Sequence, residues 1–182
     1  MADQALRKAP LGGFHGGSAA AHVTAAGPAT RLSLRARPDA INKLSRALGV
    51  DLPTEPKTSA SKDGRHALWL GPDEWLLIDE NGADLAAAAA KSGVLHSAVD
   101  ISHRNTAILV AGPKAAQAIS GASPHDLSPS VFPVGACART VLAKIEVVIF
   151  RTGEEEYRVE CWRSFAPYAS AMLAEGAEDA GL

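Results

Sequence analysis

The sequence predicts an α+β protein made of two βαββαβ-like units, and three observations carry that prediction. Between residues 31 and 101, segments of two-residue period and helical period follow in the order β-α-β-β-α-β. A looser copy of the same order runs from residue 105 to the end of the chain. The 182 residues, 47% apolar and 21% charged, suit one domain or two small packed ones. A chain of that size buries roughly 70% of its unfolded surface, so its core needs no staples.

Residues 1–29 are rich in Ala and Gly without a sustained period, and read as a flexible N-terminal arm. The folded domain is expected over 30–182, with subunits of about 30–101 and 102–182. RLSLRAR (31–37) alternates as a half-buried strand. Pro38 opens a helix with Ile41, Leu44 and Leu48 on one face, stopped by Gly49. Residues 50–64 read as a loop. ALWL (67–70) and EWLLID (74–79) are strands joined by Gly71-Pro72-Asp73. The Ala-rich run 84–91 is helical, and VLHSAVDI (94–101) is the next strand.

In the second copy, NTAILVAG (105–112) is a strand and Pro113 starts a helix to Ser120. CARTVLAKIEVVIFRT (137–152) and EYRVECW (156–162) read as one long pair of strands. Ser164 caps a final helix carrying Ala166, Tyr168, Ala169, Met172 and Leu173.

Composition narrows the function classes. A net charge of −2 gives no electrostatic footprint for nucleic acid or an anionic membrane. No apolar run approaches the ~20 residues of a membrane span, and residues 1–29 lack a signal peptide's apolar centre. Two cysteines, Cys137 and Cys161, imply no disulfide framework and fit a cytoplasmic protein.

The stretch VDISHRNT (99–106) gathers Asp100, Ser102, His103 and Arg104, the residue types of nucleophilic catalysis. Strand alternation puts Asp100 and Ser102 on one face and turns His103 away, so the spacing argues against a triad. No Gly-x-Ser-x-Gly elbow is present. Asp100 or Ser102 holding backbone amides where two strands meet is the simpler reading. His103, His125, Cys137 and Cys161 lie at least 12 positions apart, which is not metal-ligand spacing. Neither a phosphate loop nor a dinucleotide fingerprint occurs. The expected catalytic, cofactor and metal residues of this chain are therefore none. Aromatic residues concentrate near Trp75 and in ECWRSFAPY (160–168). Trp162, Arg163, Phe165 and Tyr168 are either core or an interface cluster, since Trp, Tyr and Arg dominate hot spots.

Four segments carry a family resemblance: LGPDEWLLI (70–78), VDISHRNTAILVAGPKAAQAIS (99–120), HDLSPSVFPVGACARTVLAKIEVVIFR (125–151) and ECWRSFAPY (160–168). In order and spacing the chain resembles the gamma subunits of heterotetrameric sarcosine oxidases over residues 31–175. DISH before a strand and Gly-Pro is also similar to the folate-dependent T-proteins of glycine cleavage, which implies the fold of their folate-binding domain. Those enzymes carry a catalytic carboxylate on a glycine-rich turn. Here LAKIEVVIFR lacks the glycines, and Glu146 is the only acid nearby, which counts against folate chemistry in this chain.

The resemblance implies a structural, non-catalytic subunit partnered by alpha, beta and delta subunits. It places FAD, FMN, NAD, tetrahydrofolate and zinc on those other subunits. Trp75, Asp100, His103, Arg104, Trp162, Arg163, Phe165 and Tyr168 are then candidates for subunit contacts or structural roles. The alternatives are the equivalent subunit of another N-methyl amino-acid oxidase or dehydrogenase, such as N-methylglutamate dehydrogenase, and a free-standing folate-binding aminomethyltransferase-like protein. A hydrolase using Ser102 and His103 is a third.

Overall fold

Two antiparallel sheets, each backed by helices, form the molecule, and the computed structural model describes residues 9–182. The first unit comprises β3 (Thr30–Ala36), α1 (Ile41–Leu48), β4 (Ser59–Lys62), β5 (Arg65–Gly71), β6 (Glu74–Asp79), α2 (Leu85–Ala90) and β7 (His96–Asp100). Its sheet runs β4-β5-β6-β3-β7, so the four strands of the βαββαβ pattern lie together as the sequence order demands. A turn of 3-10 helix at Pro38–Ala40 starts α1, and Gly49 ends it at φ 71°. Asp84 caps α2 by accepting the Ala87 N–H at 2.9 Å.

The second unit comprises β8 (Asn105–Ala111), α3 (Ala115–Ser120), β9 (Cys137–Leu142), β10 (Ile145–Gly153), β11 (Glu156–Trp162) and α4 (Ala166–Asp179). Its sheet runs β9-β10-β11-β8-β2-β1, where β1 is His15–Gly17 and β2 is His22–Ala25. The run β10-β11-β8-β2 repeats the run β5-β6-β3-β7. In the second unit, however, the fourth strand comes from the N-terminal segment.

That corrects the reading of residues 1–29 as a flexible arm. Residues 1–8 lie outside the described residues, but β2 pairs with β8 from His22↔Ala111 to Ala25↔Ile108. An unpaired β8 would expose a row of backbone donors and acceptors, and β2 closes it. Ala21 and Val23 are fully buried beneath α4 and beside Val110. Gly112 explains the tight approach. At φ 129°, a Cβ there would stand 2.6 Å from the Ala20 carbonyl oxygen, so only glycine lets the two segments meet.

Three local readings also change. Residues 50–64 are not all loop, because β4 forms a hairpin with β5 across Asp63 (φ 50°) and Gly64 (φ 75°). Residues 137–152 are two strands, folded back at Ala143 (φ 50°) and Lys144 without any of the usual turn residues. Ser164 is no cap; it sits inside a 3-10 turn over Arg163–Phe165, and α4 starts at Ala166 behind Phe165, which makes no side-chain cap.

Alternation along the strands sorts side chains into three layers of core. Leu32, Leu34, Trp75 and Leu77 pack under α1 and α2. Ile108, Val147, Ile149, Tyr157 and Val159 pack under α3 and α4. Between the sheets lie Leu68, Leu76 and Ile78 from one and Cys137, Val148 and Phe150 from the other, with Ile101 from the connector. No helix among the described residues is long and apolar enough to cross a membrane.

Candidate functional site

Buried charged residues gather where the two sheets meet. On β11, Tyr157, Val159 and Cys161 face the helices, which turns Arg158 and Glu160 toward the other sheet. Glu160 Oε2 accepts from Arg31 Nε at 2.6 Å, and its Oε1 accepts from Arg158 Nε at 2.8 Å. Arg158 Nη1 reaches Glu80 Oε1 at 2.7 Å. Arg31, Arg158 and Glu160 are almost wholly buried. Two cations and two carboxylates thus cancel across the interface, which is what makes burying them tolerable. A second clamp lies nearer the surface: Glu74 takes Arg35 Nη2 at 2.9 Å and is gripped by the Arg139 guanidinium from the other sheet. The Arg139 hydrogen bond, against the opposing effect of burial, holds the Glu74 carboxyl below its usual range.

VDISHRNT is the connector between the sheets. Asp100 Oδ1 accepts the Ser102 N–H at 2.8 Å. The Ser102 hydroxyl accepts the Arg31 N–H at 2.8 Å and faces the Arg31 carbonyl at 3.4 Å. Asp100 and Ser102 therefore act on backbone amides, and His103 lies in the exposed turn beyond them. Neither cysteine is a nucleophile in waiting. Burial pushes both the Cys137 and Cys161 thiols up to about 12. Among the described residues no three His, Cys, Asp or Glu side chains converge as a metal site.

The aromatic candidates separate into two groups. Trp75 is 1% exposed, packed in the first unit's core, and its indole N–H donates to the Pro53 carbonyl at 2.8 Å. Trp162, by contrast, is 42% exposed. It stacks on Phe165 at 5.9 Å with an interplanar angle of 18°, and the Arg104 guanidinium lies 5.3 Å from its ring centroid. Arg104 and Phe165 thus both lie against the Trp162 ring, in contacts that cation–π attraction and aromatic stacking favour. Arg163 follows directly, its N–H donating to the Arg104 carbonyl at 2.7 Å, and Tyr168 lies half-exposed one turn into α4.

Next to this stack the first sheet overhangs the second. Val99 on β7 lies opposite Ser33 on β3, on the face turned away from α1 and α2. Ser33 in turn lines a groove with Arg104 and Trp162. Val99 is 54% exposed, and Leu95 just before it is more so. Sequence reasoning missed Arg31, Glu74, Arg139, Arg158 and Glu160. The signal available for the buried pair was Arg158 and Glu160 at i and i+2, opposite charges on one face of an apolar strand.

Similarity to known proteins shows the family of the chain. Residues 34–179 match the model of the sarcosine oxidase, gamma subunit family. The chain belongs to that family. Sarcosine oxidase subunit gamma of Corynebacterium sp. (strain P-1) is 34% identical over 152 residues, 81% of this chain and 75% of the relative. The Arthrobacter sp. counterpart is 35% identical over 136 residues, 72% of this chain and 67% of its own. Among solved structures, a chain of the heterotetrameric sarcosine oxidase from Corynebacterium sp. U-96, in complex with pyrrole 2-carboxylate, superposes with a TM-score of 0.87. The two are 28% identical and cover 97% of each other. The glycine cleavage aminomethyltransferase T of Bartonella henselae shares the fold, with a TM-score of 0.63 at 16% identity over 82% of this chain and 44% of that one. The T-protein-like architecture expected for this family is the one found.

Proposed function

We propose that this chain is the structural gamma subunit of a heterotetrameric sarcosine oxidase acting in the cytoplasm, and that it docks through the Arg104–Trp162–Phe165 stack and the neighbouring overhang. Its partners in this reading are the alpha, beta and delta subunits, which hold FAD, FMN, NAD, tetrahydrofolate and zinc. The assembled enzyme converts sarcosine, O2 and tetrahydrofolate to glycine, hydrogen peroxide and 5,10-methylenetetrahydrofolate. The observation that carries the reading is the exposed stack itself. A Trp and a Phe half-open to water, with an Arg against the Trp ring and the exposed Val99 paired to the groove residue Ser33, form a surface of hot-spot composition. The acid, hydroxyl and imidazole of the connector, meanwhile, do not converge on a reacting centre.

Co-expression of the four subunits with wild type or Trp162→Ala/Phe165→Ala tests this. The variant is expected to fold alone with unchanged circular dichroism and to dissociate from the complex at concentrations at least tenfold higher, as loss of about 2 kcal/mol at a hot spot requires. Assembly indistinguishable from wild type would remove the stack from the interface. Turnover of a panel of N-methyl amino acids by the assembled enzyme identifies its substrate.

A further inference from the structure

The second unit carries an open groove of about 580 Å3 at the end of β11 remote from the stack. The strand runs from Glu156 to Trp162, which separates its two ends by about 20 Å. Three segments wall the groove: the start of α3 with the Gly112-Pro113 turn before it, the loop leading into β9, and the turn between β10 and β11. These walls are tied to one another. The Gly112 N–H donates to the Glu155 carbonyl at 2.9 Å, and the Arg151 guanidinium donates to the carbonyls of Phe132, Gly153 and Glu154. A surface held in this way loses little freedom when something binds to it.

The lining is of two kinds. Pro113, Pro129, Pro133 and Val134 are apolar, and Val134 is more than half exposed. Glu154 and Glu155 are exposed carboxylates, and among the described residues neither is in an ion pair. Arg151 also lines the groove, but it is buried and committed to carbonyls, so the accessible charge is negative. Tyr157 forms the floor. It is only 2% exposed, yet its hydroxyl makes no hydrogen bond among the described residues. A phenol so deeply set normally finds a partner, and the groove is where one can reach it.

We propose that this groove is a second docking surface, which takes an extended segment of a partner subunit carrying an apolar side chain beside a Lys or Arg. The apolar side chain packs on the prolines and Val134, and the cation pairs with Glu154 and Glu155. The Tyr157 hydroxyl donates to a backbone carbonyl of the segment. Charge complementarity selects the basic partner. An open groove suits a chain segment better than a small ligand, whose sites enclose most of its surface. The inference rests on the reading of the chain as a subunit, and not on the stack.

Amide hydrogen exchange of the chain alone and in the assembled four-subunit enzyme tests it. Assembly is expected to slow exchange over residues 130–134 and 153–156. Glu154→Lys/Glu155→Lys, in an exposed turn, should unfold like wild type when free and assemble about tenfold more weakly at low salt. That gap should narrow as salt rises. Protection elsewhere but not at these residues, or unchanged assembly of the charge-reversal variant, would overturn the groove and leave the subunit reading standing. Protection that grows with the concentration of the chain alone would assign the groove to a second copy and overturn the proposal too. Failure of the wild-type chain to join any complex would overturn both readings together.

Discussion

The two units share one strand order and differ in where the fourth strand comes from. The first builds β3, β5, β6 and β7 from one uninterrupted stretch. The second takes β8, β10 and β11 from one stretch and borrows β2 from more than eighty residues upstream. The difference teaches that a sheet position is filled because an edge needs covering, and the covering strand need not be a neighbour in sequence. It also implies that the first unit holds itself together while the second depends on a distant segment.

Deleting residues 1–27 attacks the difference most directly. It removes β1 and β2, strips Ala21 and Val23 from beneath α4, and opens the edge of β8. A loss on the order of 5 kcal/mol, a large share of a domain's stability, is expected in the second unit. Hydrogen exchange should show β8 to β11 losing protection while β3 to β7 keep theirs. Equal loss in both sheets would mean that the units do not differ in autonomy.

A smaller effect tests what joins the units. Glu160→Ala leaves Arg31 and Arg158 buried without their shared carboxylate and should cost about 3–5 kcal/mol in urea unfolding. Replacing all three by Met, Leu and Met removes the charges together, and stability should return to wild type or exceed it. If the triple variant stayed as weak as Glu160→Ala, packing rather than charge would be the cause.

The smallest effect is at Glu74. The Arg139 hydrogen bond acts foremost to depress its carboxyl in the folded state. A depressed carboxyl stabilises fully above its unfolded value of about 4.5, and the contribution fades as pH falls through the folded value. Glu74→Gln should therefore lower stability by a small amount at and above about pH 4.5, and the two proteins should converge as pH falls, which leaves the variant with a flatter acid limb. Thermal unfolding of the two proteins between those conditions reads the difference.

How much was visible beforehand follows from the same contrast. The order of the first unit was legible because Leu32, Leu34, Trp75 and Leu77 alternate in strands and Leu44 and Leu48 repeat at helical spacing. β2 was not, since HVTA is four residues long and sits among Ala and Gly that carry no period of their own. Its reason for being a strand is β8, which no local window contains. The turn at Ala143-Lys144 hid for a similar reason, because a left-handed alanine leaves no mark in composition. Trp75 and Trp162 looked alike as aromatic neighbours of charge, and only the three-dimensional layering separates the core residue from the exposed one. The ion cluster at Glu160 needed both sheets in place before its three members met.

The borrowed strand also sets an order of events. As the chain is made, β2 appears early and finds no partner until β8 follows some eighty residues later, while α4, which packs over β1 and β2, comes last. The first unit can be complete by then, but the second cannot close until its earliest and latest pieces meet. Contacts of such long span are slow to form, and until they do the β8 edge stays open to other chains. In the cell, the vulnerable period of this protein is thus the interval between making β8 and docking α4, and translation of the residues between them sets its minimum.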